Sequence, residues 1–159
     1  MRRRGWSEGG SRLVDAAPCG SWHTNSLVAA IGCRGVQAAM LLDGPMNGVC
    51  FTGFCRQSLA PTLEPGQIVV LDNLGSHHVA AAAETVEAVE AVGCTLCFLP
   101  PYSPDLNPIE MVFSKLKGLV RRLRPRGWEA IVEAARDALL AITAEDCTNC
   151  FAHCGYESG

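Results

Sequence analysis

Residues 67–78 read QIVVLDNLGSHH and residues 94–110 read CTLCFLPPYSPDLNPIE. Gln67–Asp72 is a nearly continuous apolar run, the pattern of a strand buried on both faces. The stretch His77–Val92 is rich in alanine and glutamate and predicts a helix, with Gly93 as its C-terminal cap. Cys94–Leu99 reads as a second buried strand. The prolines at 100, 101, 104 and 108 then stiffen a loop by fixing their own backbone angles. Asn107 before Pro108 predicts a helix start, with asparagine as cap and proline at the first helical position. Strand, helix, strand and helix in that order specify an α/β structure.

Working outward, Ser26–Ile31 and Val36–Leu42 read as two strands joined by a turn at Gly32–Gly35. Asp43-Gly44-Pro45 ends the second. Asn47 caps a helix expected to reach about Leu59, before Pro61 and the Pro65-Gly66 turn. Leu13–Ala16 is a possible short strand nearer the start. On the other side, the helix from Asn107 runs to about Leu123, before Pro125. Trp128–Ile142 is a further helix, and Thr143-Ala-Glu-Asp146 opens a last one ending near Gly155. The whole is an α/β sandwich with a mixed sheet.

A chain of 159 residues, 48% apolar and 18% charged, suits one ordinary domain with a single core. That composition excludes global disorder. Apolar runs such as Leu27–Ile31 and Val79–Ala83 fall far short of the roughly 18 residues needed to cross a bilayer. No apolar stretch follows the basic start Met1–Arg4, so a cytoplasmic protein, away from membranes, is expected. Nine cysteines are an odd number without an export signal, and all are expected as free thiols. Cys94 and Cys97 fall on opposite faces of a strand. Cys147, Cys150 and Cys154 share one helical face beside His153, a pattern open to zinc binding or to packing as small hydrophobes.

Two carboxylates stand out by position. Asp72 ends a strand at its carboxyl end, where α/β folds present ligands; an Asx turn there is the plainer account. Glu110 is the third residue of its helix, near the positive end of the dipole; a capping-box glutamate is its plainer account. The net charge is −3, yet Lys115, Lys117, Arg121, Arg122, Arg124 and Arg126 follow Glu110 with no acid before Glu129. Lys117 and Arg121 share a helical face with Glu110. Such a stripe suits phosphate binding or a solvated face. Ile109, Val112, Phe113, Leu116, Val120 and Leu123 form the apolar face of the same helix.

Residues 68–78 (IVVLDNLGSHH) and 98–117 (FLPPYSPDLNPIEMVFSKLK) resemble the two hallmark blocks of the DDE transposases of bacterial insertion sequences, in the mariner superfamily. The likeness extends back through Leu42–Asn47 and Trp22–Thr24, and forward through Cys147–Tyr156. It implies an RNase H-like mixed sheet flanked by helices. Asp72 and Glu110 match the family positions that bind the catalytic Mg2+ or Mn2+. Asn73 and His77 belong to the first block and would order the metal loop, although local turn hydrogen bonds explain them equally well. The implied substrate is DNA, both transposon ends and target, with Lys117, Arg121 and Arg122 as candidate contacts. A second copy or an upstream-frame polypeptide is a further possible partner.

The resemblance also implies a third carboxylate, on the first central strand. The matching region begins downstream of that strand, near Arg3, so the strand is expected to be missing. Residues 1–21 then read as a truncated linker and 22–159 as an incomplete catalytic domain, inactive alone. Asp15 is the acid near the amino end that would stand in, but the likeness places Arg12–Ala17 after that strand. Both a remnant and the second frame of a frameshifted element fit this reading. A non-catalytic remnant that binds DNA or a transposase partner is the alternative. An α/β hydrolase or phosphatase is disfavoured: Gly5-Trp6-Ser7-Glu8-Gly9 has the Gly-x-Ser-x-Gly spacing but follows no apolar strand run, and no P-loop string occurs.

Overall fold

The computed structural model describes residues 24–72, 79–100 and 103–156. The strand expected at Leu13–Ala16 with Asp15, and the loop residues Asn73 and His77, lie outside them. Strands β1 (Asn25–Gly32) and β2 (Gly35–Asp43) form the expected antiparallel hairpin, in register from Asn25↔Asp43 to Gly32↔Gly35. Gly35 holds the turn at φ +110°, a region that disfavours any side chain. The register shifts between Ala30 and Ile31, where β2 carries an extra residue. That bulge changes which face β2 presents. Ala38 and Met40 pack on one layer, while Val36 packs on the other.

Asn47 starts helix α1 (Gly48–Phe54) as expected, and its side chain accepts a 2.9 Å hydrogen bond from the Cys50 amide. The coil then widens into a π turn over Cys55–Leu59 and ends in a 3-10 turn at Ala60–Thr62. Pro61 has no N–H with which to continue the ladder. Strand β3 (Ile68–Leu71) crosses over through helix α2 (Val79–Glu90) to the parallel strand β4 (Thr95–Phe98). Gly93 closes α2 at φ +78°, and a Cβ there would meet Pro65 at 3.2 Å. Only glycine suits both conditions.

The chain is α/β as expected, with five α-helices and small sheets among the described residues, and the described strands do not join into one sheet. Among the described residues β1–β2 and β3–β4 are two separate two-stranded sheets. This corrects the expectation that β3 and β4 are buried on both faces. Ile68 is 67% exposed and Phe98 is 41% exposed, with no third strand beside either pair among the described residues.

Helices α3 (Pro108–Leu123), α4 (Trp128–Leu140) and α5 (Ala144–His153) complete the chain. One core cluster joins Ala38, Phe54, Cys55 and Leu59 to Val28, Ala30, Met40 and Val69, so α1 holds both sheets. A second joins Val112, Ile142 and Cys147 to Ile31 and Val36, placing α3 and α5 on the opposite face of the hairpin. In α3 the apolar face is buried at Val112 and Leu116, but Leu123 is 56% exposed because the helix outruns its support.

The eight described cysteines are all free. Burial pushes the Cys55 and Cys147 thiols above their ordinary pKa, and Cys147 packs as a small hydrophobe. Thr143 and Asp146 form the expected capping box: the Asp146 amide donates to Thr143 Oγ1 at 3.1 Å, and the Thr143 amide donates to Asp146 Oδ2 at 2.9 Å. Replacing Thr143 by alanine should cost about 1 kcal/mol in a urea titration. A cost indistinguishable from zero would show that α5 is held by packing alone.

Candidate functional site

Asp72 follows directly on β3, at the carboxyl end of the strand, and is exposed. The chain reaches the second carboxylate through α2, β4 and a 3-10 turn at Pro104–Leu106. Asn107 occupies the cap position of α3, yet its side chain makes no cap hydrogen bond. No capping box forms, so that plainer account of Glu110 fails. The Glu110 amide donates to the Asn107 carbonyl at 3.2 Å, and its carboxylate is left exposed in the first turn. There the helix dipole favours a negative charge.

Asp72 and Glu110 line the same cavity, of about 530 Å3, which lies between β1 and β3. Asn107, Pro108 and Phe113 contribute to its wall beside Glu110. Burial of Pro108, Val112 and Leu116 fixes the helix that carries the glutamate. The loop before α3 is tied from the far end of the chain: Tyr156 donates its hydroxyl to the Leu106 carbonyl at 2.8 Å. The Tyr156 ring stands edge-on to Phe151, at 84° and 5.8 Å, and Phe151 lines the cavity. Sequence reading missed Phe151 and Tyr156; nothing in their spacing links them to a loop fifty residues upstream.

The basic residues of α3 divide between two faces. Lys117 and Arg121 continue the line of Glu110, both exposed, with the Lys117 ammonium 5.8 Å from the Phe113 ring centre. Arg122 sits a third of a turn away, with Lys115, Met111 and Gly118 around a shallow recess. Lys115 leaves the stripe altogether, because its ammonium pairs with the Asp146 carboxylate. That partner, together with the Thr143 amide and hydroxyl, holds Asp146 down to a pKa of about 2.

Two exposed carboxylates at one cavity are the hard oxygen donors that a small divalent cation prefers. Among the described residues no group of three or more histidine, cysteine, aspartate or glutamate side chains is placed to hold a metal ion. Among the same residues no helix is long and apolar enough to cross a membrane.

No curated protein matches the chain. Residues 1–128, which include both Asp72 and Glu110, match the family model described as DDE superfamily endonuclease. With four-fifths of its length inside that match, the chain belongs to the DDE superfamily endonucleases.

Proposed function

We propose that this chain is the catalytic portion of a metal-dependent DNA transposase of the mariner-like bacterial insertion-sequence type, inactive by itself. The observation that carries the reading is that Asp72 and Glu110, from two different elements, line one cavity. Both carboxylates would hold Mg2+ or Mn2+, which when bound would neutralise phosphate charge and make a water acidic enough to give up a proton and serve as a hydroxide nucleophile. The chain's own contribution is positional. Strand β3 holds Asp72, the buried face of α3 holds Glu110, and the Lys117–Arg121 line leads a DNA backbone away from them. Asn73 and His77 would order the loop that follows Asp72.

Ligand count supports inactivity alone. Two carboxylates hold one magnesium ion, whereas clamping two at about 4 Å takes a further acid. The absence of a three-acid cluster among the described residues equally favours the second reading, a non-catalytic remnant that binds DNA or a transposase partner.

The test pairs Mn2+ binding, read by electron paramagnetic resonance, with nicking of transposon-end DNA by the purified full chain. Wild type should bind about one Mn2+, Asp72→Asn and Glu110→Gln should each weaken that binding, and none should nick DNA. Mn2+ binding unaffected by either substitution would sink the metal assignment. Metal-dependent nicking that Asp15→Asn abolishes would overturn the inactivity and make Asp15 the third ligand.

A further inference from the structure

Helix α5 and its C-cap carry three thiols that neither metal binding nor DNA binding uses: Cys147, Cys150 and Cys154. They are poorly placed to join one another. Residues three or four apart on a helix hold their Cβ atoms about 5–6 Å apart, whereas a disulfide needs about 3.5–4.5 Å. A partner for Cys147 has to come from another element.

The turn of the β1–β2 hairpin brings one. Ile31 and Val36 face each other across the base of that turn, and both pack against the buried cluster that contains Cys147. A Cβ on Gly35 would stand 3.8 Å from the Ala144 amide nitrogen, so the turn lies against the start of α5. The Thr148 hydroxyl donates to the Ala144 carbonyl at 2.9 Å and lies 3.3 Å from the Cys33 carbonyl oxygen. From the other side Arg34 pairs with Glu64 at 2.8 Å. These contacts set Cys33 over the stretch of α5 that carries Cys147. Burial first, then the nearby Cys150, Asp146 and Cys33 groups, push the Cys147 thiol above its ordinary pKa, while Lys115 acts in the opposite sense. The two thiols differ in access: Cys33 is exposed and Cys147 is fully buried.

We propose that Cys33 and Cys147 are an oxidisable pair whose substrate is a peroxide, with Cys33 as the peroxide-reactive thiol and Cys147 as the thiol that resolves it. The Cys33 thiolate attacks one peroxide oxygen. The O–O bond breaks, the sulfur becomes a sulfenic acid, and the departing hydroxide takes up the proton that Cys33 released. The Cys147 thiolate then attacks the Cys33 sulfur. The S–S bond forms, the S–O bond breaks, and the second hydroxide takes the Cys147 proton. Two thiols and one hydrogen peroxide thus give one disulfide and two waters. The second step is the slower one, because Cys147 is buried and its thiol is held protonated. The link would tie the hairpin to α5, whose Phe151 lines the cavity of Asp72 and Glu110. This inference depends on neither metal binding nor nicking.

The test treats the full chain, reduced and dilute, with hydrogen peroxide. Remaining thiols are then blocked with N-ethylmaleimide, and the unreduced digest is mapped by tandem mass spectrometry. Wild type should lose about two free thiols per chain and yield a monomeric Cys33–Cys147 disulfide that dithiothreitol reverses. Cys33→Ser should abolish the link, and Cys150→Ser should leave it in place. Cys147→Ala should stop the reaction at a Cys33 sulfenic acid, which dimedone traps. Cys33→Ser alters an exposed turn position and keeps the test decisive if Cys147→Ala fails to fold. Thiols untouched by peroxide, a link from Cys33 to any other cysteine, or a covalent dimer in place of the monomeric link would overturn the proposal.

Discussion

Replacing Phe54 by alanine should cost about 3–5 kcal/mol and leave a large share of the chain unfolded. Phe54 is 2% exposed, and its cluster takes in Val28 and Ala30 of β1, Met40 of β2 and Val69 of β3. With no hydrogen-bonded ladder between the two sheets among the described residues, this cluster is the described packing that spans them. Truncation removes a large side chain from a site whose neighbours come from three elements, so collapse around the gap is limited. Urea titration followed by circular dichroism measures the cost. Val49→Ala, at a position 84% exposed, should stay within about 0.5 kcal/mol of wild type. A Phe54→Ala cost below about 1 kcal/mol would mean that the sheets are held together elsewhere.

Binding to non-specific duplex DNA should fall about 40-fold between 50 and 200 mM salt. That figure follows from three phosphate contacts, at Lys117, Arg121 and Arg122, each adding about −0.9 to the slope of log affinity against log salt. Fluorescence anisotropy with a labelled duplex gives the slope directly. Lys117→Glu combined with Arg121→Glu should reduce its magnitude from about 2.7 to about 0.9 or less. Charge reversal at Lys115 should change it little, because that ammonium is already engaged by Asp146. Reversal at Arg136, on α4, should likewise matter little. A slope indifferent to the Lys117 and Arg121 changes would make the stripe a solvated face.

Local signals placed most of the elements. Asn47, Gly93, Pro108 and the Thr143–Asp146 pair each act within a turn of their own position, through a cap, a left-handed angle or a missing N–H. Those signals need no distant partner, and the observed boundaries fall within a few residues of them. The strings around Asp72 and Glu110 identified the family for the same reason: they carry the residue types themselves. Burial followed different rules. The apolar runs at Gln67–Asp72 and Cys94–Leu99 state what a strand is able to bury, not whether a neighbour is there to cover it. Only the tertiary structure showed two separate pairs among the described strands, with Ile68 and Phe98 exposed. It also showed which cation is already engaged, since Lys115 pairs with an acid on α5. Sequence determined the local geometry and the chemistry of each segment; the side chains that share a cavity were settled by long-range packing, which no short window of sequence encodes.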